Sequence, residues 1–498
     1  MRILSLVFLL VLSSTSHATT RQIEIDHSVE TKHQTRINGE RISYTATIGT
    51  QPVWDDEGEP VATLHYTYYQ RSGVSNIGKR PLLISFNGGP GSASVWMHVA
   101  YTGPKVLDID TEGYPIQPYG VKTNPYSVLD VADIVFVNPV NTGYSRVVPN
   151  SQGETLSREQ QKNMFFGVNA DVTYLADWLN TFVTRHNRWT SPKFLIGESY
   201  GTTRVAGLAL ALQNQQWMYL NGVILVSPTD MGIERNGPVK AANRLPYFAA
   251  TAWYHGVLSD DLQQRDLYEL LPEVEDFTLN QYLPALAKGA FIDEAEKQRI
   301  AEQVARYSGL SLQSVLGSNL DIDTAFFWKD LLRDQGKTLG RLDSRYLGID
   351  KKEVGGRPDY WAELTSWLHS FTPAINHYLR NELNYVTDIK YNMFGPVHPW
   401  DRTGNNTGEN LRQAMAQNPY LNVLFQAGYY DGATNYFDAK YSMWQLDPSG
   451  KMRDRLSFAG YRSGHMMYLR YEDLKKSNDD LREFIRASLP AEGQAAKY

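Results

Sequence analysis

Apolar and polar positions divide the chain into two kinds of stretch. Over residues 40 to 86 they alternate as in β-hairpins: Thr63, His65, Thr67 and Tyr69 interleave with Leu64, Tyr66 and Tyr68, and Arg71-Ser72-Gly73 marks a turn. Short continuous apolar runs follow at Pro81–Phe86 (PLLISF), Asp133–Val137 (DIVFV), Lys193–Gly197 (KFLIG), Gly222–Val226 (GVILV) and Leu421–Phe425 (LNVLF). Helical periodicity lies between them. Asn169–His186 carries Val172, Leu175, Leu179 and Phe182 on one face, and Val205, Leu208, Ala209 and Leu212 recur after Gly201. Strands apolar on both faces, alternating with helices, predict a mostly parallel central sheet covered by helices on both faces.

From Thr229 to Tyr378 the pattern changes. Asp293–Tyr307 reads as a charged helix, Ala325–Leu332 carries Phe326, Phe327 and Trp328, and Tyr360–Leu379 carries Trp361, Trp367 and Phe371. The expected organisation is a core over residues 19–228, a helical cap inserted over 229–378, and the rest of the core over 379–498, closed by a helix at Asp473–Leu489.

A length of 498 residues is long for one layered domain and fits a core with a large insertion, or two domains. A formal charge of −6 gives no electrostatic reason to expect nucleic acid or an anionic membrane as partner. Aromatic content of 12% suits a cleft that grips peptides or other apolar groups, but a large core accounts for it better. The first residues read as a secretory signal over 1–18: Arg2, the apolar stretch Ile3–Val11, and Ser16-His17-Ala18 as a small-residue cleavage site. That stretch is too short to span a bilayer, and no later apolar run reaches spanning length. An exported chain without Cys cannot use disulfides, a combination that points to a bacterial periplasmic or secreted protein.

Candidate chemistry sits at the ends of the apolar runs. Gly197-Glu198-Ser199-Tyr200-Gly201 places Ser199 where a strand turns sharply into a helix, the nucleophile elbow of an α/β-hydrolase. Asn87-Gly88-Gly89-Pro90-Gly91-Ser92 follows an early strand. It lacks the Lys-Ser or Lys-Thr of a phosphate-binding loop, so it reads better as a loop offering bare backbone N–H groups to an oxyanion. Asp431 lies just past Leu421–Phe425, and His465 stands in Ser463-Gly464-His465-Met466 before the last helix. The order Ser199, Asp431, His465 is that of nucleophile, acid and base in this fold. A serine hydroxyl needs an imidazole to take its proton, and the imidazole needs a carboxylate to fix its tautomer. No H-E-x-x-H motif and no Cys ligand suggests a metal.

GESYG, NGGPGS, NPVNTGYS, the AGYYD strand end and the GHM loop together resemble the serine carboxypeptidases, from about Leu82 to Tyr468. The resemblance implies a triad of Ser199, Asp431 and His465, and an oxyanion hole from the N–H groups of Gly89 and Tyr200. It also implies a pair, Asn87 and Glu198, that hydrogen-bonds the C-terminal carboxylate of a peptide. Implied with it is release of C-terminal residues through an acyl-enzyme, without cofactor or metal. Esterase or acyltransferase activity on the same triad is the alternative, and a non-catalytic binding protein a further one. Ser85 stands where some members carry Trp, and Gly432 where a bulkier residue is common.

Overall fold

A computed structural model describes residues 21–491 together with 493, 495 and 497; the leader expected over 1–18 lies outside the described residues. Ten strands make the main sheet: β1 His27–Ile37, β2 Glu40–Trp54, β3 Pro60–Arg71, β4 Leu82–Phe86, β5 Asp133–Val137, β6 Arg146–Val147, β7 Lys193–Glu198, β8 Gly222–Val226, β9 Asn422–Gly428 and β10 Leu456–Tyr461. Their order is β1-β2-β3-β5-β4-β7-β8-β9-β10, with β6 paired to β3. β1, β2 and β3 form an antiparallel meander. From β5 to β10 every neighbouring pair is parallel. The chain is an α/β-hydrolase fold.

Composition explains the contrast. β1 (HSVETKHQTRI) keeps a solvated face and is mostly exposed or half-buried. β4, β5, β7 and β8 are buried along their whole length, as both-sided coverage requires. One core cluster contains Leu83, Ile134, Ile196 and Ile224, and the other Ile84, Val135, Leu195 and Val223, the alternate residues of the same strands pointing to opposite faces.

Helices cover both faces. α1 (Val95–Ala100) follows the glycine-rich loop, α2 (Val168–Arg185) packs beside α3 (Tyr200–Gln215), and α4 (Ala362–Asn381), α5 (Thr407–Gln417) and α6 (Tyr471–Ala487) complete the layers. Between β8 and β9 the chain is mainly helical and has a separate core that includes Phe248, Val274, Ile300, Val304 and Phe327. Local sequence sets its elements. In the helix Glu294–Ser308, Asp293 accepts the N–H of Glu296 at 2.8 Å, and Gly309 at φ +72° closes the other end. The expected cap boundary at residue 378 falls within α4, whose Trp367, Phe371 and Tyr378 pack into the sheet's own core. No described helix is long and apolar enough to cross a membrane.

Candidate active site

Parallel register brings the candidate residues to one edge of the sheet. Phe86 is level with Gly197, Val226 with both Glu198 and Gln426, and Gly428 with Tyr461. The segments leaving β4, β7, β9 and β10 therefore emerge side by side at the carboxyl ends of the strands, where ligands bind in open α/β sheets. Asn87 follows β4, Glu198 ends β7, Asp431 lies just past β9 and His465 just past β10.

Ser199 sits at φ +57°, ψ −126°, a region that costs of order 1–3 kcal/mol for a residue with a side chain. Its N–H bonds Val226 O at 2.9 Å, and its C=O accepts the Thr202 N–H at 2.9 Å, so both sides of the elbow are fixed. The flanking glycines are required by contact. A Cβ on Gly197 would lie 2.1 Å from Gly201 O, and one on Gly201 would lie 2.8 Å from Phe86 O.

His465 is 5% exposed and Asp431 fully buried. His465 Nδ1 is 2.7 Å from Asp431 Oδ2, which fixes the ring and leaves Nε2 for a second partner. Asp431 is itself held: Oδ1 accepts the N–H groups of Ala433 at 2.8 Å and Thr434 at 3.1 Å, and Oδ2 accepts the Thr434 hydroxyl at 2.7 Å. Burial lowers the His465 pKa, but the charge and hydrogen bond of Asp431, together with Glu198, outweigh it and leave the pKa raised. The imidazolium is thus favoured over its usual level. Ser199 and His465 line one cavity of about 490 Å³; among the described residues no hydrogen bond joins them.

The inserted segment reaches into this arrangement. His465 N–H donates to Leu342 O at 2.7 Å, Ser344 N–H to Tyr430 O at 3.0 Å, and Gly432 N–H to Arg341 O at 3.0 Å. Buried Arg345 joins Asp343 Oδ2 at 2.6 Å and Ser463 Oγ at 3.0 Å. Gly432 is small for a reason: a Cβ there would lie 2.5 Å from Tyr247 OH and 2.6 Å from Trp328 Nε1, both from the insertion.

The glycine-rich loop passes over the elbow. A Cβ on Gly88 would lie 2.5 Å from Tyr200 N, so only glycine lets the loop approach that amide. The N–H groups of Gly89 and Tyr200 donate to no acceptor among the described residues, and both residues line the cavity. Beneath the loop, buried Arg204 donates to Asp171 Oδ2 at 2.7 Å, to Asn87 O at 2.7 Å and to Pro90 O at 3.3 Å. Met97 N–H donates to Asn87 Oδ1 at 3.1 Å, fixing which face of that amide donates.

Glu198 is 3% exposed. Its Oε1 accepts from Asn87 Nδ2 at 2.9 Å and its Oε2 from the Tyr468 hydroxyl at 2.5 Å. Burial pushes its pKa up to about 7; the His465, Tyr468 and Asn87 interactions pull the other way without cancelling it. Sequence reading had no signal for Tyr468, nor for Thr434. Tyr468 is placed by a stack on Tyr101, with centroids 4.7 Å apart and planes 10° from parallel. Nothing in the local pattern Gly464-His465-Met466-Met467-Tyr468 shows that contact.

A model of the serine carboxypeptidase family matches from residue 55 to residue 319, more than half of the chain. Among curated proteins, serine carboxypeptidase-like 16 of Arabidopsis thaliana is 27% identical over 188 residues, covering 35% of this chain and 40% of that protein. The retinoid-inducible serine carboxypeptidase of Homo sapiens is 31% identical over 150 residues, covering 30% and 28%. The chain thus spans less than half the length of the curated relatives it matches. Among solved structures, a prohormone-processing carboxypeptidase from Saccharomyces cerevisiae superposes with a TM-score of 0.52 at 15% identity, covering 89% of this chain and 91% of that one, which shows a shared fold. With the fold, the elbow and the family match in agreement, the chain belongs to the serine carboxypeptidase family.

Proposed function

We propose that this protein is a serine-type carboxypeptidase that releases C-terminal amino acids from peptides through an acyl-enzyme on Ser199. The observation that carries the reading is the meeting of two groups in one cavity. A strained serine stands beside an Asp-fixed histidine, and a buried carboxyl able to hold a proton near neutrality, Glu198, lies next to them.

On this reading Ser199 Oγ attacks the scissile carbonyl while His465 Nε2 takes its proton, and the tetrahedral oxyanion accepts from the N–H groups of Gly89 and Tyr200. Collapse breaks the C–N bond, with His465 returning the proton to the leaving amine. Water then attacks the ester by the same steps in reverse. A Ser199–His465 hydrogen bond forms when substrate fills the cavity, as catalytic contacts that are long in the free enzyme commonly close in the complex. Asn87 and protonated Glu198 hold the terminal carboxylate; a charged Glu198 would repel it. This requirement for a free carboxylate separates a carboxypeptidase from an esterase on the same triad. Export through the leader at residues 1–18 fits an enzyme acting on peptides outside the cytoplasm. Mass spectrometry of a peptide digest over time is the direct test: a ladder that shortens one residue at a time from the C-terminus is expected. Internal cleavage, or an intact peptide beside rapid ester hydrolysis, would refute the reading.

A further inference from the structure

The cavity above Ser199 carries more positive charge than this chemistry uses. Arg235, Arg341 and Arg402 all line it. Arg235 is engaged: its Nη1 donates to Asp438 O and to Ser442 Oγ, each at 3.2 Å, and lies 4.0 Å from the Asp438 carboxylate. Arg341 and Arg402 are not. Both are exposed, and among the described residues neither guanidinium forms an ion pair or donates a hydrogen bond. The side chain of Arg341 lies over the Trp361 ring, 5.9 Å from its centroid, and its charge acts at longer range on Glu363.

Each cation belongs to a segment tied to a different site residue. Arg341 adjoins Leu342, whose carbonyl takes the His465 N–H. Arg402 lies two residues beyond Trp400, whose indole N–H donates to Tyr200 OH at 3.0 Å. Of the acidic groups that share the wall, neither Glu198 nor Asp230 forms an ion pair with them among the described residues: Glu198 is bonded to Asn87 and Tyr468, and Asp230 Oδ1 accepts the Gly232 N–H at 3.0 Å. An exposed arginine on a convex surface is ordinary. Two unpaired planar forks facing one concavity are suited to bidentate capture of carboxylates.

We propose that the site selects peptides with Asp or Glu as one of their last two residues, the side-chain carboxylate being held by Arg341 or Arg402. The inference rests on the carboxypeptidase reading above and adds the substrate class to it.

The test is kcat/KM at pH 6 for N-blocked dipeptides in which Glu, Gln or Leu occupies either position. At that pH the substrate's Glu is charged. Exposed ion pairs are weak, so a Glu-over-Gln preference of about fivefold is expected at low salt. It should fall toward one in 1 M NaCl and in Arg341→Gln or Arg402→Gln. The ratio is internal to each protein, so a general loss of activity does not imitate the effect. A ratio at or below one in both positions would overturn the proposal, and so would a ratio that neither salt nor substitution moves. If the substitutions change the discrimination between a free C-terminus and its amide but not between Glu and Gln, the arginines hold the chain end, and the proposal fails. Calorimetric binding of the same peptides to Ser199→Ala protein is read alongside. Should no peptide be cleaved, the peptidase reading fails, while the Glu-to-Gln ratio of Kd still supports or refutes the arginine site.

Discussion

Raising the pH should abolish recognition of the substrate's terminal carboxylate before it harms the hydrolytic groups. Buried Glu198 holds its proton up to about pH 7, and Asn87 fixes its orientation. Two carboxylates about 4 Å apart repel by roughly 4 kcal/mol at an effective dielectric constant near 20. Substrate binding to the ionised form is therefore negligible, and kcat/KM should fall about tenfold per pH unit above the Glu198 pKa. Between pH 7 and pH 9 that is on the order of a hundredfold. On the proposed mechanism His465 titrates on the other limb, because it would have to be neutral to accept the serine proton, and its raised pKa would set the acidic side of the profile. The two groups interact, so the profile reports values belonging to the pair. The assay is kcat/KM from pH 5 to pH 9 for an N-blocked dipeptide and for its C-terminal ester, which lacks the carboxylate. In the wild type only the free acid should show the alkaline fall, and Glu198→Gln should remove it. An identical fall for acid and ester, or one that survives Glu198→Gln, would refute the reasoning. The same shift bears on folding. Between pH 4.5 and about 7 the folded chain keeps a proton that the unfolded chain releases, so stability falls as pH rises through that window. Glu198→Gln should flatten this slope in urea titrations.

Tyr468→Phe removes a donor that lowers the Glu198 pKa, so the alkaline fall should move to higher pH by up to about one unit; an unmoved profile would show that the hydroxyl does not act on Glu198. Gly88→Ala drives a Cβ against the Tyr200 amide, the Glu198 carbonyl and Ser199, all within 3 Å, so kcat should drop by about 10²–10³, as when one oxyanion donor is lost; near-normal kcat would count against that loop position. Arg204→Met leaves Asp171 buried without its cation and frees the Asn87 and Pro90 carbonyls, so urea denaturation should show a loss of about 3–5 kcal/mol, and a loss under 1 kcal/mol would contradict the role given to the pair.

The parallel half of the sheet was legible because strands covered on both sides must be apolar throughout, as in Asp133–Val137 and Gly222–Val226. The edges were not. β1 is largely polar because one face is solvated, and β10 (LSFAGY) is half-buried at the opposite edge, so neither shows a continuous run. Residues at strand ends could be proposed as site members from chain order alone, since parallel strands deliver their carboxyl ends to one edge. What could not be read were supports made by long-range contact. Tyr468 meets Glu198 across 270 residues, Thr434 acts on Asp431 through a turn hydroxyl, and Leu342 contributes only a carbonyl, which any residue possesses. A backbone atom leaves no trace in side-chain pattern.

The strut running from Leu342 to His465 bears on how such a protein could be shortened. Trimming the excursion between β8 and β9 to obtain a minimal hydrolase would also remove the acceptor for the histidine amide, the partner of the Tyr430 carbonyl, and the aromatic rings that occupy the space beside Gly432. Designs with a shorter excursion would have to brace that histidine by other means. On the proposed function, variation in this segment would alter turnover as well as the choice of peptide.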